Sequence, residues 1–458
     1  MKKMIICAVA AIVFGGCGIY NKYSRPESID TTAEGIFRGE AAERADSALN
    51  FGATEWREVF TDECLQRLID SAMVRNTDLR VARLRIDEAE ASLKAARLAY
   101  VPSFAFAPNG AVSSFDNSKA AWTYSVPVTA SWQVDLFARL TNAKRRAKAA
   151  VEGSRAYCQA VRSRVIAGVA NAYYTLLMLD AQLAVTEQTA ESWRESVETM
   201  RLMKDAGMAT DAAVRQYEAN HYALQSSVLQ LRDQIFTAEN SLCALLGDTP
   251  HSIERGSLDS QHMPDDLRTG IPVRLLSARP DVEYAEKTLV QAFYATNEAR
   301  AALYPSISLS GSAGWTNSAG VAIVNPGKLL LSAAASLLQP IFQNGALRAR
   351  LKIAKAQQEE AELQFRQTVL NAGNEVNNAM AECQTARANR TICEQKVDAL
   401  ASAAESTELL MKHGSTTYLE VLVARQALLG ARMDLITNSF NELQSAVNLY
   451  QALGGGRE

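Results

Sequence analysis

Ala96-Arg97-Leu98-Ala99-Tyr100-Val101-Pro102-Ser103 returns, roughly 205 residues later, as Ala299-Arg300-Ala301-Ala302-Leu303-Tyr304-Pro305-Ser306. Each octet ends a helical pattern and opens an alternating one. At nearly the same offset Val134-Asp135-Leu136-Phe137 matches Gln339-Pro340-Ile341-Phe342, and Gly207 matches Gly414. Leu242 with Leu246-Gly247 likewise matches Leu449 with Leu453-Gly454. The chain is therefore one unit written twice: a first copy over 17–247, a connector over 248–272 and a second copy over 273–458.

Both copies run through the same elements. A helix is stopped by Pro102 or Pro305, because proline disfavours helix in the residue before it and lacks a donor. Two strand-like stretches follow, Ser103 to Phe115 and Trp122 to Val134 in the first copy, Ser306 to Asn317 and Leu329 to Leu338 in the second. Segments of about ten alternating residues with aromatics near their ends, here Trp122, Tyr124, Trp132 and Trp315, fit transmembrane barrel strands. A soluble hairpin fits these strands equally well on their own.

A long helix comes next, from about 138 to 204 and again from about 343 to 411. The first carries the stripe Val165, Val169, Ala172, Leu176, Leu179, Leu183, Thr186, Ala190, Trp193, Val197 and Met200, alternating steps of four and three. The second carries Ala372, Val376, Ala379, Cys383, Ala386, Arg390, Cys393, Val397, Leu400, Ala404, Thr407 and Met411. At 1.5 Å per residue each rod is about 100 Å long. A glycine suited to a left-handed closing residue, Gly207 or Gly414, ends each rod before a returning helix. Small seam residues suit a wall of closely packed helices. An antiparallel coiled coil alone explains the stripes but not the strand pairs set identically before them.

The first residues read as an export signal over 1–16: Lys2 and Lys3, an apolar run from Met4 to Phe14, then Gly15-Gly16-Cys17. The run is too short to span a bilayer. The small pair before Cys17 resembles a lipobox, making Cys17 the lipidated first residue of the mature chain; an ordinary cleaved signal is the alternative. No other run crosses a membrane as a helix, so a membrane span would be made of strands. With 47 basic and 50 acidic side chains, net −3, no basic excess points to nucleic acid. The remaining cysteines and the four histidines lack ligand or framework spacing. The cysteines read as small hydrophobes. No metal, cofactor or catalytic set is expected, and the chain is read as a non-enzyme.

Taken in order, these pieces resemble the TolC family, specifically its outer-membrane efflux lipoproteins of the OprM and NodT kind. The similarity rests on Cys17 followed by Tyr23-Ser24-Arg25-Pro26, on Trp56-Arg57-Glu58-Val59-Phe60 and on Asn76-Thr77-Asp78-Leu79. It continues through Trp132-Gln133-Val134-Asp135-Leu136-Phe137, Gly270-Ile271-Pro272, Arg279-Pro280-Asp281-Val282, Gln339-Pro340-Ile341-Phe342 and the ending Leu453-Gly454-Gly455-Gly456. The resemblance implies a mainly helical chain with membrane strands, three copies of which close a twelve-stranded β-barrel above a long periplasmic α-barrel. It implies localisation to the cell outer membrane, anchored by a lipid on Cys17 and extending into the periplasm. The implied partners are a homotrimer, a periplasmic adaptor, an inner-membrane RND-type pump and outer-membrane lipid. The implied activity is passive conduction of substrates out of the cell.

By the same resemblance the turns at Gly207 and Gly414 are the periplasmic tips, Leu419 forms an entrance constriction and Glu420 carries a ring of charge. Three symmetry-related carboxylates attract cations; a solvated acid favoured by the helix dipole is the plain reading of Glu420. Val423 and Ala213 stand where many relatives carry Asp. Thr416 stands near a gating arginine of relatives, so no strong ionic latch is expected at that turn. The competing functions are a periplasm-spanning structural lipoprotein and a type I secretion duct.

Overall fold

The computed structural model describes residues 22–26, 51–114, 116, 119–261, 279–319 and 322–457. The signal segment, Cys17 and Gly270-Ile271-Pro272 lie outside the described residues. The described helices are α1 (Trp56–Val59), α2 (Glu63–Arg75), α3 (Thr77–Leu98), α4 (Arg139–Asp205), α5 (Asp211–Leu246), α6 (Pro280–Ala301), α7 (Ala346–Lys412) and α8 (Tyr418–Ala452). The strands are β1 (Ser103–Phe106), β2 (Asn109–Ser113), β3 (Ala121–Val134), β4 (Ser306–Ala319) and β5 (Ala322–Leu338). The rods α4 and α7 are 67 residues each, which at 1.5 Å per residue makes each about 100 Å long.

The chain forms two compact units, each assembled from both sequence copies. One comprises Met1–Ile29, Leu84–Ala156 and Glu283–Thr368; the other comprises Asp30–Arg83, Tyr157–Val282 and Val369–Glu458. Compactness does not follow the repeat because each copy pairs its elements with those of its twin. In the first unit β3 of the first copy runs antiparallel to β4 of the second, from Val134 opposite Ile307 to Ser125 opposite Thr316.

That first unit is built on an antiparallel sheet ordered β1-β3-β4-β5, with β2 also on β3. Two strand expectations need correction. The stretch from Ser103 to Phe115 is not one strand; it breaks at Ala107 and Pro108. Pro108 has no N–H to donate to a ladder, and the break lies opposite another proline, Pro127, whose carbonyl accepts from Ala107 N at 3.2 Å. The second-copy hairpin is longer than its alternation suggested, with β5 starting at Ala322 and a register irregularity between Thr316 and Ser318. Its extra residues include Pro326 and Gly327. Gly314 and Gly327 serve packing: a Cβ on Gly314 would lie 2.5 Å from Pro127 Cα, and one on Gly327 would meet the Tyr124 hydroxyl. Beneath the sheet Arg25 pairs with Glu286, its Nε donating at 3.0 Å, and Tyr23 meets Phe293 edge to face.

In the second unit α4, α5, α7 and α8 coil about the predicted seam. Val165, Val169, Leu176, Leu179, Thr186, Ala190, Trp193, Val197 and Met200 are buried; Ala172 and Leu183 are half-buried. The second-copy stripe is buried from Ala372 to Ala386, then opens at Arg390, which is exposed and donates to Glu442 at 2.9 Å. A guanidinium at a seam position has to reach out to a carboxylate. The five cysteines among the described residues form no disulfide: Cys243 and Cys383 are buried, Cys64, Cys158 and Cys393 half-buried.

The widest part of this core holds Tyr173, Tyr450, Phe60, Leu65, Ile69, Leu176 and Leu242. Thr54, Tyr450 and Gly456 meet tightly there. Tyr450 Oη donates to Thr54 O at 2.9 Å and accepts from Gly456 N at 2.8 Å. A Cβ on Gly455 would lie 2.5 Å from the Tyr450 ring, so the glycine ending lets the backbone lie flat on that ring. Arg279 is buried, grips Asp281 with two donors at 3.0 and 2.7 Å, reaches Glu375 at 2.6 Å and donates to Ala452 O at 2.7 Å. It thereby satisfies a carbonyl at the negative end of α8.

Candidate functional sites: a two-faced sheet and two helical tips

Along a strand successive side chains point to opposite faces, so the register decides which residues share a surface. On one face β3 presents Trp122, Tyr124, Val126, Val128, Ala130 and Trp132, and β4 presents Ile307, Leu309, Ala313 and Trp315 across from them. Leu329, Leu331 and Leu337 of β5 continue this face, as do Phe104 and Phe106 of β1. On the opposite face stand Ser125, Thr129, Ser131 and Gln133 of β3 beside Ser308, Ser310, Ser312 and Thr316 of β4. Ser308 and Ser336, and Ser312 and Ser332, pair hydroxyl to hydroxyl at 2.7 Å. Leu330, Leu338 and Pro127 are the larger apolar residues there.

The apolar face is bare. Trp122 is 73% exposed and Leu331 70%, and Phe104, Phe106, Trp315, Leu329 and Leu337 are exposed as well. A continuous apolar surface open to water marks an interaction or membrane surface. Its aromatics cluster at two levels: Trp122, Tyr124 and Trp315 at one end, Trp132 at the helical end. Ten residues at about 3.4 Å separate Trp122 from Trp132; tilted by about 40°, that rise spans about 25 Å, the height of the apolar band of a membrane barrel. Lys328 is the single charged residue in the five strands. Alternation along one strand was weak evidence; the register across strands makes the sorting explicit.

The two tips lie in the second unit. Gly207, with φ 76°, closes α4: Met208 N donates to Met203 O at 2.8 Å and Gly207 N to Lys204 O at 2.9 Å. This is the paired-bond closure of a left-handed cap. Gly414, with φ 71°, closes α7 in the same way, with Ser415 N on Leu410 O at 2.9 Å. Thr210 caps α5, accepting from Ala213 N at 3.2 Å. Thr417 stands at the matching position of α8 and uses no side-chain bond. There Thr416 donates to the Glu420 carboxylate instead. Leu419, in the first turn of α8, is 54% exposed and Val423 is exposed with it. The structure thus brings Gly414, Leu419 and Glu420 into one turn, with an apolar and an acidic side chain side by side.

A small core ties the tips together: Trp193, Val197 and Met200 of α4, Ala213, Val214 and Tyr217 of α5, and Leu422 of α8. The Trp193 and Tyr217 rings lie 5.2 Å apart, and Tyr217 Oη donates to Tyr418 O at 3.4 Å. Burial pushes the Tyr217 hydroxyl pKa up. Sequence reading missed the charged part of this region. Arg425 of α8 reaches Glu408 of α7 and Ser196 of α4, at 2.5 and 2.6 Å. About two helical turns on from Thr416 there is a charged clasp across three helices. A lone arginine inside the apolar run Val421-Leu422-Val423-Ala424 to Ala427-Leu428-Leu429 was the available signal. On the outer side Arg201 and Arg215 hold Glu218 at 2.6 and 3.0 Å, and the Arg201 hydrogen bond keeps that carboxyl below its ordinary value.

Comparison with known proteins agrees with this geometry. The family model described as outer membrane efflux protein matches the chain twice, over residues 68–248 and 271–455. The cation efflux system protein CusC of Escherichia coli K12 is 28% identical over 99% of this chain and 99% of its own length. The probable efflux pump outer membrane protein TtgC of Pseudomonas putida KT2440 is 29% identical over 99% and 96%. Among solved structures, the outer-membrane channel OprN superposes with a TM-score of 0.86, at 25% identity over 95% of this chain and 98% of that one. The open-state MtrE outer membrane channel of Neisseria gonorrhoeae superposes at 0.81, with 27% identity over 90% and 93%. Two successive matches to one model, strands that sort apolar from hydroxylated side chains, and full-length likeness to solved channels lead to one conclusion: the chain belongs to the outer membrane efflux protein family.

Proposed function

We propose that this protein is the outer-membrane channel of a tripartite efflux system, a passive conduit for substrates handed over by an inner-membrane pump and a periplasmic adaptor. The observation that carries this is the sheet. One face is apolar and aromatic-girdled, the other hydroxylated, and β5 and the β1/β2 side are unpaired edges within one chain. β1 and β2 follow one another along the same edge of β3, so the sheet is four strands wide, and such an open sheet cannot sit in a bilayer, because its edge N–H and C=O groups would be unsatisfied. Closing with further copies removes those edges, and three copies give a twelve-stranded barrel with its hydroxyls inward. A purely structural lipoprotein has no use for such a sheet.

The remaining assignments follow from this reading. Cys17 carries the lipid anchor at the outer membrane, and no other cofactor is required. The tip turns at Gly207 and Gly414 face the adaptor. Leu419 forms the constriction and Glu420 its charge. Relatives are named for cation, antibiotic, toluene and solvent efflux, so the cargo class is set by the pump and not by this chain.

Single-channel recording of the purified protein in a planar bilayer tests the proposal. Discrete conductance steps from native protein, enlarged in the variant Leu419→Ala with Glu420→Ala, support a pore gated at the tips. Membrane insertion without any conductance in either protein overturns it.

A further inference from the structure

Where the sheet gives way to the rods, the charge pattern departs from what helices prefer. The opening turns of α4 carry Arg139, Lys144, Arg145, Arg146 and Lys148, with no acid from 136 to 151. Those of α7 carry Arg348, Arg350, Lys352 and Lys355, with no acid from 299 to 358. Helix N-termini favour carboxylates and disfavour cations, so both rods start with the wrong charge for their own stability. At α4 Asp135 compensates, accepting from Leu140 N and Thr141 N at 2.8 and 2.9 Å. At α7 the matching position is Pro340, and the first turn contains no acid.

Only some of these cations are ion-paired within the protein. Arg146 pairs with Glu298 at 3.3 Å and Lys148 with Glu152 at 3.6 Å. Arg139, Arg348, Arg350, Lys352 and Lys355 are exposed and form no ion pair among the described residues. Between the sheet and this basic segment stand Ile341 and Phe342, 96% and 80% exposed. They follow the end of β5 at Leu338, at the helical end of the sheet. An exposed apolar residue and an aromatic, followed within about two helical turns by unpaired cations, is the order met on passing from hydrocarbon through the interface to a charged leaflet surface.

We propose that these residues form a basic collar that binds anionic phospholipid headgroups of the leaflet on the helical side of the sheet. Arg348, Arg350, Lys352 and Lys355 are its core, and Arg139 and Lys144 add to it from the opening turns of α4. The inference rests on the sheet being embedded in a bilayer and adds to it a lipid partner and a docking depth. Lys355 stands nine residues into α7, about 14 Å along the rod. Juxtamembrane cations attract anionic headgroups within about a Debye length of the surface, and a lysine stem can reach back toward it.

The test uses full-length protein reconstituted in phosphatidylcholine vesicles containing some phosphatidylglycerol, with one of the two lipids brominated. Quenching of tryptophan fluorescence, Trp132 among the reporters, gives the relative association of the two lipids. Native protein is expected to favour phosphatidylglycerol by roughly threefold to tenfold at low salt, and to lose that preference near ~1 M salt. The variant Arg348→Gln, Arg350→Gln, Lys352→Gln, Lys355→Gln should fall close to parity. Lys412→Gln with Arg432→Gln should behave as native, and so should the charge-keeping Arg348→Lys with Arg350→Lys. Strong quenching by both lipids without preference, or a preference unchanged in the fourfold variant, overturns the collar while leaving the membrane reading intact. Absence of quenching by either lipid overturns both.

Discussion

Leu331 and Ser332 are neighbours in β5 that look out on opposite surfaces: Leu331 stands across from Ala313 on the bare apolar face, while Ser332 shares a 2.7 Å hydroxyl contact with Ser312 on the other. One residue of sequence thus separates the apolar face from the hydroxylated one. Leu331→Lys puts an ammonium into hydrocarbon at a cost of about 2–4 kcal/mol near mid-depth, whereas Ser332→Lys places it in water. The first substitution is expected to reduce the folded, heat-modifiable protein recovered in the outer membrane several-fold, and the second to leave the yield unchanged. Equal yields from both would place the sheet outside the bilayer.

Arg425 joins three helices of the tip, and its side chain is a quarter exposed. Charge-assisted bonds of this kind contribute about 1 kcal/mol net once solvent screening is allowed for. Arg425→Met should therefore speed amide exchange in the first turns of α8 roughly fivefold, with little change in the wide core around Tyr450. Glu408→Gln should have a smaller effect, since its amide oxygen still accepts. If exchange at α8 is unaltered in Arg425→Met, the clasp contributes nothing to closure of the tip.

How far the sequence foretells this molecule depends on the range of the interaction. The duplication, the rods and their glycine caps are local and periodic, and Val165 through Met200 could be read as a seam before any contact was known. The strand break at Pro108 was also written locally, in the missing donor, but weak alternation concealed it. The sorting of the sheet was not legible strand by strand. It depends on Val134 standing across from Ile307, a pairing between copies that no single segment encodes. Arg425 was hidden because a charge in an apolar helix announces a partner without saying which, and Glu408 and Ser196 lie on two other helices. The compact units cut across the repeats for the same reason.

Two glycines near the C-terminus should respond to alanine with opposite signs. Gly455 lies against the Tyr450 ring, and a Cβ there would sit 2.5 Å from it; forcing ring or backbone aside costs about 1–3 kcal/mol. Gly430 is an exposed residue in the interior of α8 with nothing within 4 Å of a new Cβ, so alanine stabilises by about 0.5–1 kcal/mol through helix propensity. Thermal unfolding in detergent is expected to move down for Gly455→Ala and up for Gly430→Ala. A fall of the melting temperature in both would mean that the outer surface of α8 near Gly430 is covered in the assembled protein.

Acid should loosen the wide core through Asp62. Its carboxylate caps α2, accepting from Cys64 N at 2.7 Å and Leu65 N at 3.2 Å, and also accepts from Tyr173 Oη at 2.8 Å and Gln261 Nε2 at 2.7 Å. Burial alone pushes its pKa up, but these hydrogen bonds outweigh burial and hold it below its ordinary value of 3.8. A carboxyl depressed by folding stabilises the folded state fully above its ordinary pKa, and that contribution is lost as pH falls through the lower folded value. Protection of amides in Glu63–Arg75 is therefore expected to be flat from neutral pH to about 4 and to fall below it. Asp62→Asn keeps one acceptor but not the charge, and should show a lower, pH-independent protection over the same range; Asp62→Ala should lose about 1–2 kcal/mol of local stability at neutral pH. A native profile that declines equally steeply in the Asn variant would assign the acid sensitivity to other carboxylates, of which Asp281, gripped by Arg279 and likewise held low despite burial, is the nearest in kind.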